Sequence, residues 1–251
     1  VYGIDMKVVE KLAAFPNYYQ EIVIAQGTPP VNGQNGTVEY HFELLKEKTP
    51  KMLEDGKVDF RDLNLIENVR EGDLLATLIP PVPGVSGRTV LGGEISALSG
   101  KPAVLPKGKN VNVSEDGTQL TAAIDGQVVM VEKKINVYTV YEVPANVDNS
   151  TGNISFLGNV IVKGNVLTGF TIEAGGTVEV HGVVEGAIIK AGGDIILRRG
   201  MQGLGKGVLI SEGNIIARYI EHSNLTARGD IKSDAIMHST VRCGGVMHLN
   251  G

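Results

Sequence analysis

The sequence predicts a mostly β protein. An N-terminal β-rich domain over residues 1–146, barrel-like or sandwich-like with minor helix, precedes a right-handed parallel β-helix over residues 147–251. Three observations predict this. Glycine recurs at a near-constant interval toward the C-terminus. Apolar residues fall into columns when those glycines are superposed. Before them, turn dipeptides punctuate short apolar runs.

The first element is a helix. Val8, Val9, Leu12 and Ala13 share one face of residues 5–15, and Asp5 stands where a capping side chain belongs. Turn signals follow at Gly27-Thr28-Pro29-Pro30, Asn32-Gly33, Asn35-Gly36, Asp55-Gly56, Glu71-Gly72-Asp73, Pro83-Gly84, Asp116-Gly117 and Asp125-Gly126. Val38-Glu39-Tyr40-His41-Phe42 alternates as a half-buried strand does, and Gln119–Ile124, Val128–Val131 and Ile135–Tyr141 read as consecutive strands.

The repeat begins near residue 147. Its anchors are Gly158, Gly176, Gly193, Gly213, Gly229 and Gly245, separated by 18, 17, 20, 16 and 16 residues. Four residues before each anchor stand Ile154, Ile172, Ile189, Leu209, Leu225 and Val241. Two before stand Phe156, Ala174, Ala191, Ser211, Ala227 and Cys243, and two after stand Val160, Val178, Ile195, Ile215, Ile231 and Met247. Period-two alternation gives strands with one buried face. Recurrence every 16–18 residues brings each strand back over its predecessor after a coil of three strands and three corners. A run of antiparallel hairpins would not keep three columns in step. About six coils are expected, right-handed like other parallel crossovers, with glycine supplying unusual corner angles. The longer third interval holds Arg199–Gly207, expected as an extruded loop. The chain opens on Val1 rather than Met and stops at Gly251 in mid-coil, which reads as a fragment. A bare solenoid end exposes strand edges, so a further segment or a second subunit is expected over it.

Composition narrows the function classes. The net charge of −5 argues against nucleic acid as partner, and no stretch of eighteen apolar residues is present to span a membrane. The single cysteine, Cys243, excludes an internal disulfide and fits a reducing compartment.

Several segments resemble one family: Ile24-Ala25-Gln26-Gly27-Thr28-Pro29-Pro30-Val31-Asn32-Gly33, Lys57-Val58-Asp59-Phe60-Arg61 and Asn68-Val69-Arg70-Glu71-Gly72-Asp73-Leu74-Leu75-Ala76. So do Gly84-Val85-Ser86-Gly87-Arg88-Thr89-Val90-Leu91-Gly92-Gly93 and Val147-Asp148-Asn149-Ser150-Thr151-Gly152-Asn153-Ile154. In this order they are similar to the FapA (flagellar assembly protein A) family. The resemblance implies a cytoplasmic bacterial protein, a β-rich domain ahead of a β-helix, and a C-terminal helical region that this fragment lacks. It also implies a role in flagellar assembly or its regulation through protein contacts. It carries over no catalytic residues.

Motifs that mimic chemistry are weak. Gly200-Met201-Gln202-Gly203-Leu204-Gly205-Lys206 resembles a phosphate-binding loop, but Gly207 stands where Ser or Thr would hold magnesium, and a strand pattern follows where a helix is needed. Lys133-Lys134 sit at a hairpin, as a carrier lysine would, without the Met-Lys pair of biotin carriers. His222 and His238 are 16 apart, hence stacked if the coils register, with Glu221 as the one evident helper; zinc needs three or four ligands, and a polar ladder is the simpler reading. Cys243 falls in the small inward column, where a thiol is inert.

The sequence therefore assigns no catalytic, cofactor or metal residue. It offers one candidate contact column, five residues after the anchors: Lys163, His181, Arg198 and Arg218, ended by Asp234. The competing reading is a solvated face with pairing among its charges. The function expected is a non-enzymatic scaffold with a protein partner, itself a homo-oligomer. The alternative is a β-helix enzyme that binds or acts on carbohydrate. A third, a membrane-surface or nucleic-acid binder, is permitted by the basic column and opposed by the overall acidity.

Overall fold

The computed structural model describes residues 1–16, 18–44, 51–52, 58–59, 61, 63 and 65–250. The turn expected at Asp55-Gly56, and Lys57 and Phe60 of the family-like segment, lie outside the described residues. Contacts divide the chain into two compact units. One comprises Val1–Tyr40, Ala76–Leu105 and Ser114–Gln119. The other comprises His41–Leu75, Pro106–Val113 and Leu120–Gly251.

The first unit carries the helix, Met6–Ala14, with Asp5 as cap: its carboxylate accepts from the amides of Lys7 and Val8. Strand Thr37–Tyr40 pairs antiparallel with Ala76–Ile79. Asp116-Gly117 is a turn as predicted, closed by the Gly117 amide on the Ser114 carbonyl, but residues 27–36 and Pro83-Gly84, also predicted as turns, do something else. Three extended segments run side by side, and bridges join Thr28, Val31 and Gln34 to Arg88, Val85 and Val82, at every third residue. Gly33 and Gly36 donate to the carbonyls of Leu98 and Lys101, again three apart. A period of three is that of the polyproline II conformation, and where such segments pack side by side, as in collagen, only glycine fits the crowded contact. A Cβ on Gly33 would lie 2.2 Å from the Val82 carbonyl oxygen, and one on Gly100 1.9 Å from that of Gln34. These glycines are there for close approach of backbones.

In the second unit, hairpin strands Gly126–Val131 and Lys134–Tyr138 are joined by Glu132 and Lys133, at φ 50° and 60°. Two left-handed residues in a two-residue loop make the type I′ turn that matches strand twist.

Residues 140–249 form a parallel β-solenoid of about six turns. Ile154, Ile172, Ile189, Leu209, Leu225 and Val241 are superposed rung on rung, and so are Val160, Val178, Ile195, Ile215, Ile231 and Met247. A third inward row, Val147, Val166, Val184, Met201, Ile220 and Ile236, completes each coil. The first five members of each row are buried. Each side chain contributes roughly 1.5–3 kcal/mol, but only because the coils above and below complete its surroundings. At the N-terminal side, Ile66 joins this core. Asn68 donates to the Ser155 carbonyl and accepts from the Leu157 amide, satisfying part of the edge of strand Ile154–Phe156.

The anchor glycines have a different cause from the one expected. None of the six has a left-handed φ. The residue after each anchor but the last contributes a side chain to a ladder instead. The side chain of Asn159 accepts from the Thr177 amide, Thr177 from Asp194, Asp194 from Asn214, Asn214 from Asp230, and Asp230 from Val246. These side chains occupy the space a Cβ would need on the next anchor: 2.2 Å from Asn159 Oδ1 at Gly176, and 2.2 Å from Asp194 Oδ1 at Gly213. The glycine thus makes room for its neighbour's acceptor. We expect Asn214→Ala, which strips the acceptor from the Asp230 amide, to cost about 1–3 kcal/mol in urea unfolding. Asn214→Asp keeps that acceptor but loses the Asn214 Nδ2 donation to Asp194 Oδ1 and sets carboxylates on three successive rungs. It is therefore expected to destabilise as well, and less at acid pH, where the carboxylates are protonated.

Candidate functional site

The register that superposes the core also lines up the outside. Val162, Val180, Leu197, Ala217 and Ser233 pair across consecutive coils, so the residues that follow them are brought into one outward column. These are Lys163, His181, Arg198, Arg218 and Asp234, all exposed except the half-buried His181.

The charges of this column pair sideways with the adjacent outward row. Lys163 Nζ lies 3.8 Å from Glu142, His181 Nε2 lies 2.9 Å from Glu179, and Arg198 Nε donates to Glu179 at 2.8 Å. Among the described residues Arg218 has no ion pair. The hydrogen bond from Arg198, followed by the charges of Arg198 and His181, holds the Glu179 carboxyl below its usual value of 4.5, against the opposing pull of burial. A lowered carboxyl pKa stabilises the fold above the usual carboxylate range. That contribution is lost as pH falls through the lowered value.

The row beside the column also holds Ile161, Ile196 and Ile216, in register with Glu142, Glu179 and Lys232. Ile216 is 38% exposed. A shallow groove is lined by Ile196, Arg198, Ile216, Arg218, Lys232 and Asp234. Sequence reasoning found the cations and missed these isoleucines. Their signal was an aliphatic residue between two inward ones, where an outward strand position is ordinarily polar.

The second surface feature is a corner. The turn after the third strand is left-handed in successive coils, at Gly169, Gly186, Leu204, His222 and His238, with φ of 83°, 45°, 51°, 48° and 49°. Glycine adopts that geometry freely, whereas other residues pay roughly 1–2 kcal/mol. Parallel pairing of Glu221 with Met237 sets His222 over His238, and the rings stack with centroids 4.8 Å apart and planes 9° from parallel. Glu221 Oε1 lies 3.4 Å from His222 Nε2.

The remaining motifs resolve as follows. Gly200–Gln202 is strand paired on both sides, and the residues out of register reduce to Gly203–Lys206 and a bulge at Arg198-Arg199. The segment after the phosphate-loop-like motif is strand, without the helix N-terminus that phosphate binding uses. Lys133 stands at the tip of the hairpin and Lys134 in its second strand. Cys243 is partly buried, its Sγ 3.2 Å from the Gly229 carbonyl. On another solenoid face, Glu173 pairs with Lys190 and Glu212 with Arg228. No described helix is long and apolar enough to cross a membrane.

No curated protein and no solved structure matches this chain. Family models do. The Flagellar Assembly Protein A N-terminal region matches residues 1–133, and the Flagellar Assembly Protein A beta solenoid domain matches residues 139–251. The two matches follow the order of the β-rich stretch and the coils, and the chain belongs to the Flagellar Assembly Protein A family.

Proposed function

We propose that this chain acts in bacterial flagellar assembly as a non-enzymatic scaffold, in the cytoplasm, by protein–protein contact. Its contact surface is the column Lys163, His181, Arg198 and Arg218 with the neighbouring isoleucines. One observation carries the reading: Arg218, exposed and without an ion pair among the described residues, follows Ala217, which pairs with Leu197, so it falls in the column of Arg198 beside the paired Ile196 and Ile216. Cations beside aliphatic area on a fixed ladder suit an acidic, partly apolar protein surface. Charges so placed steer association, while the isoleucines supply area to bury. In this reading residues 1–146 are a separate β-rich domain, residues 147–251 carry the contact column, and the protein self-associates.

The test is Arg218→Glu, alone and with Arg198→Glu, introduced into the native gene. Motility is expected to fall, with the protein at normal abundance and its unfolding midpoint unchanged for Arg218→Glu. Full motility in the double variant at normal abundance would sink the contact column.

A further inference from the structure

We infer that Glu221, His222 and His238 form a binding site for a divalent transition-metal ion, with Zn²⁺, Ni²⁺ and Cu²⁺ as the fitting class. The site lies at the solenoid corner, away from the strand positions that form the basic column. It does not depend on the scaffold reading.

The donor set comes first. One donor atom from each of the three residues lies within 4.8 Å of the others. Two imidazole nitrogens and a carboxylate oxygen are the ligands that borderline metals select, and three protein ligands leave a fourth position open. Both histidines are exposed and Glu221 is half-buried, so ions and solvent reach the donors and the two rings have room to turn.

The backbone explains how the set arises. In an extended strand, consecutive side chains point to opposite faces, so Glu221 and His222 would diverge. The left-handed φ of 48° at His222 breaks the alternation and brings the Glu221 carboxylate to the imidazole. Parallel pairing then places His238 one strand spacing away, with the same left-handed φ. The corners at Gly169 and Gly186 use glycine, which imposes no strain and offers no donor. Leu204 accepts the strained geometry without a donor; at His222 and His238 two adjacent coils accept it with the same metal-ligating residue. Bound metal would bridge successive coils of the C-terminal part of the solenoid, and a ligand that binds only the folded state raises its unfolding temperature.

The glycine corners also supply the test. His222→Gly and His238→Gly remove a donor while relieving the left-handed strain, so both variants are expected to fold. The tag-free chain, freed of metal with chelator, is titrated with Zn²⁺ by calorimetry. Imidazole resonances are followed in parallel. We expect one ion per chain, shifts confined to the His222 and His238 rings, and a zinc-dependent rise in unfolding temperature. Either glycine variant should weaken binding by at least about 100-fold, since even outer-shell partners of a metal site cost 10–100-fold. Glu221→Gln should weaken it less, and His181→Asn not at all. Absence of saturable binding, or equal affinity in His222→Gly and the parent, would reduce the pair to a simple imidazole stack and overturn the assignment.

Discussion

Replacing Ile189 by alanine is expected to destabilise the solenoid by about 2–5 kcal/mol, the range for a buried aliphatic truncated in a tightly packed core. Ile189 has no exposed surface and lies between Ile172 and Leu209 in the same row. Stacked coils hold it above and below, so the cavity cannot close without moving a rung. Ile216→Ala, on the outward side of a neighbouring strand, removes the same side-chain atoms from a 38% exposed position and is expected to cost well under half as much. Urea unfolding followed by circular dichroism measures both. Equal losses at the two positions would mean that the inward rows do not hold the coils together.

Gly100→Ala is expected to disrupt the glycine-packed segments of the first unit, at a cost of about 3 kcal/mol. The added carbon would fall 1.9 Å from the Gln34 carbonyl oxygen and 2.6 Å from its carbon. Both are backbone atoms that no rotamer change can move. Hydrogen exchange locates the damage: the Gly33 and Gly36 amides, which donate to Leu98 and Lys101, should lose protection. Amides of the solenoid coils, such as Gly229, should keep theirs. Gly93→Ala is the control, because its nearest neighbour is the Thr89 hydroxyl at 3.2 Å. If both variants exchange alike, close backbone approach is not what selects glycine at position 100.

The coils were legible in the sequence because their cause repeats. A buried aliphatic every second residue and a return every 16 to 20 residues leave a signature in order, without any knowledge of distance. The purpose of the anchor glycines was not legible. From sequence, Gly176 and Gly213 read as angles; in three dimensions they are spaces, filled by Asn159 and Asp194 of the preceding coil. The Asn, Thr and Asp of that ladder stood one residue past every anchor except the last. Alone, each is an ordinary turn residue. The first unit was less legible, since Gly33, Gly84 and Gly100 mark turns in most proteins and mark packing here.

For the surface, the sequence placed Lys163, His181, Arg198 and Arg218 in one column, because register follows from counting. It did not reveal that Glu142 and Glu179 neutralise part of that column, or that Ile196 and Ile216 stand beside Arg218. His222 and His238 were countable as a stacked pair, but the convergence of Glu221 depends on a left-handed φ that no pattern encodes.

By itself, then, the sequence determined which residues share a row, inside and out, and which family the chain resembles. Periodicity is a one-dimensional property and survives in the order of residues. Only the tertiary structure decided which side chains meet between rows: the acceptor over each anchor glycine, the glutamate beside Arg198, and the three donors at the histidine corner. Those meetings depend on corner dihedrals and on contacts between separate coils, and neither is a function of spacing along the chain.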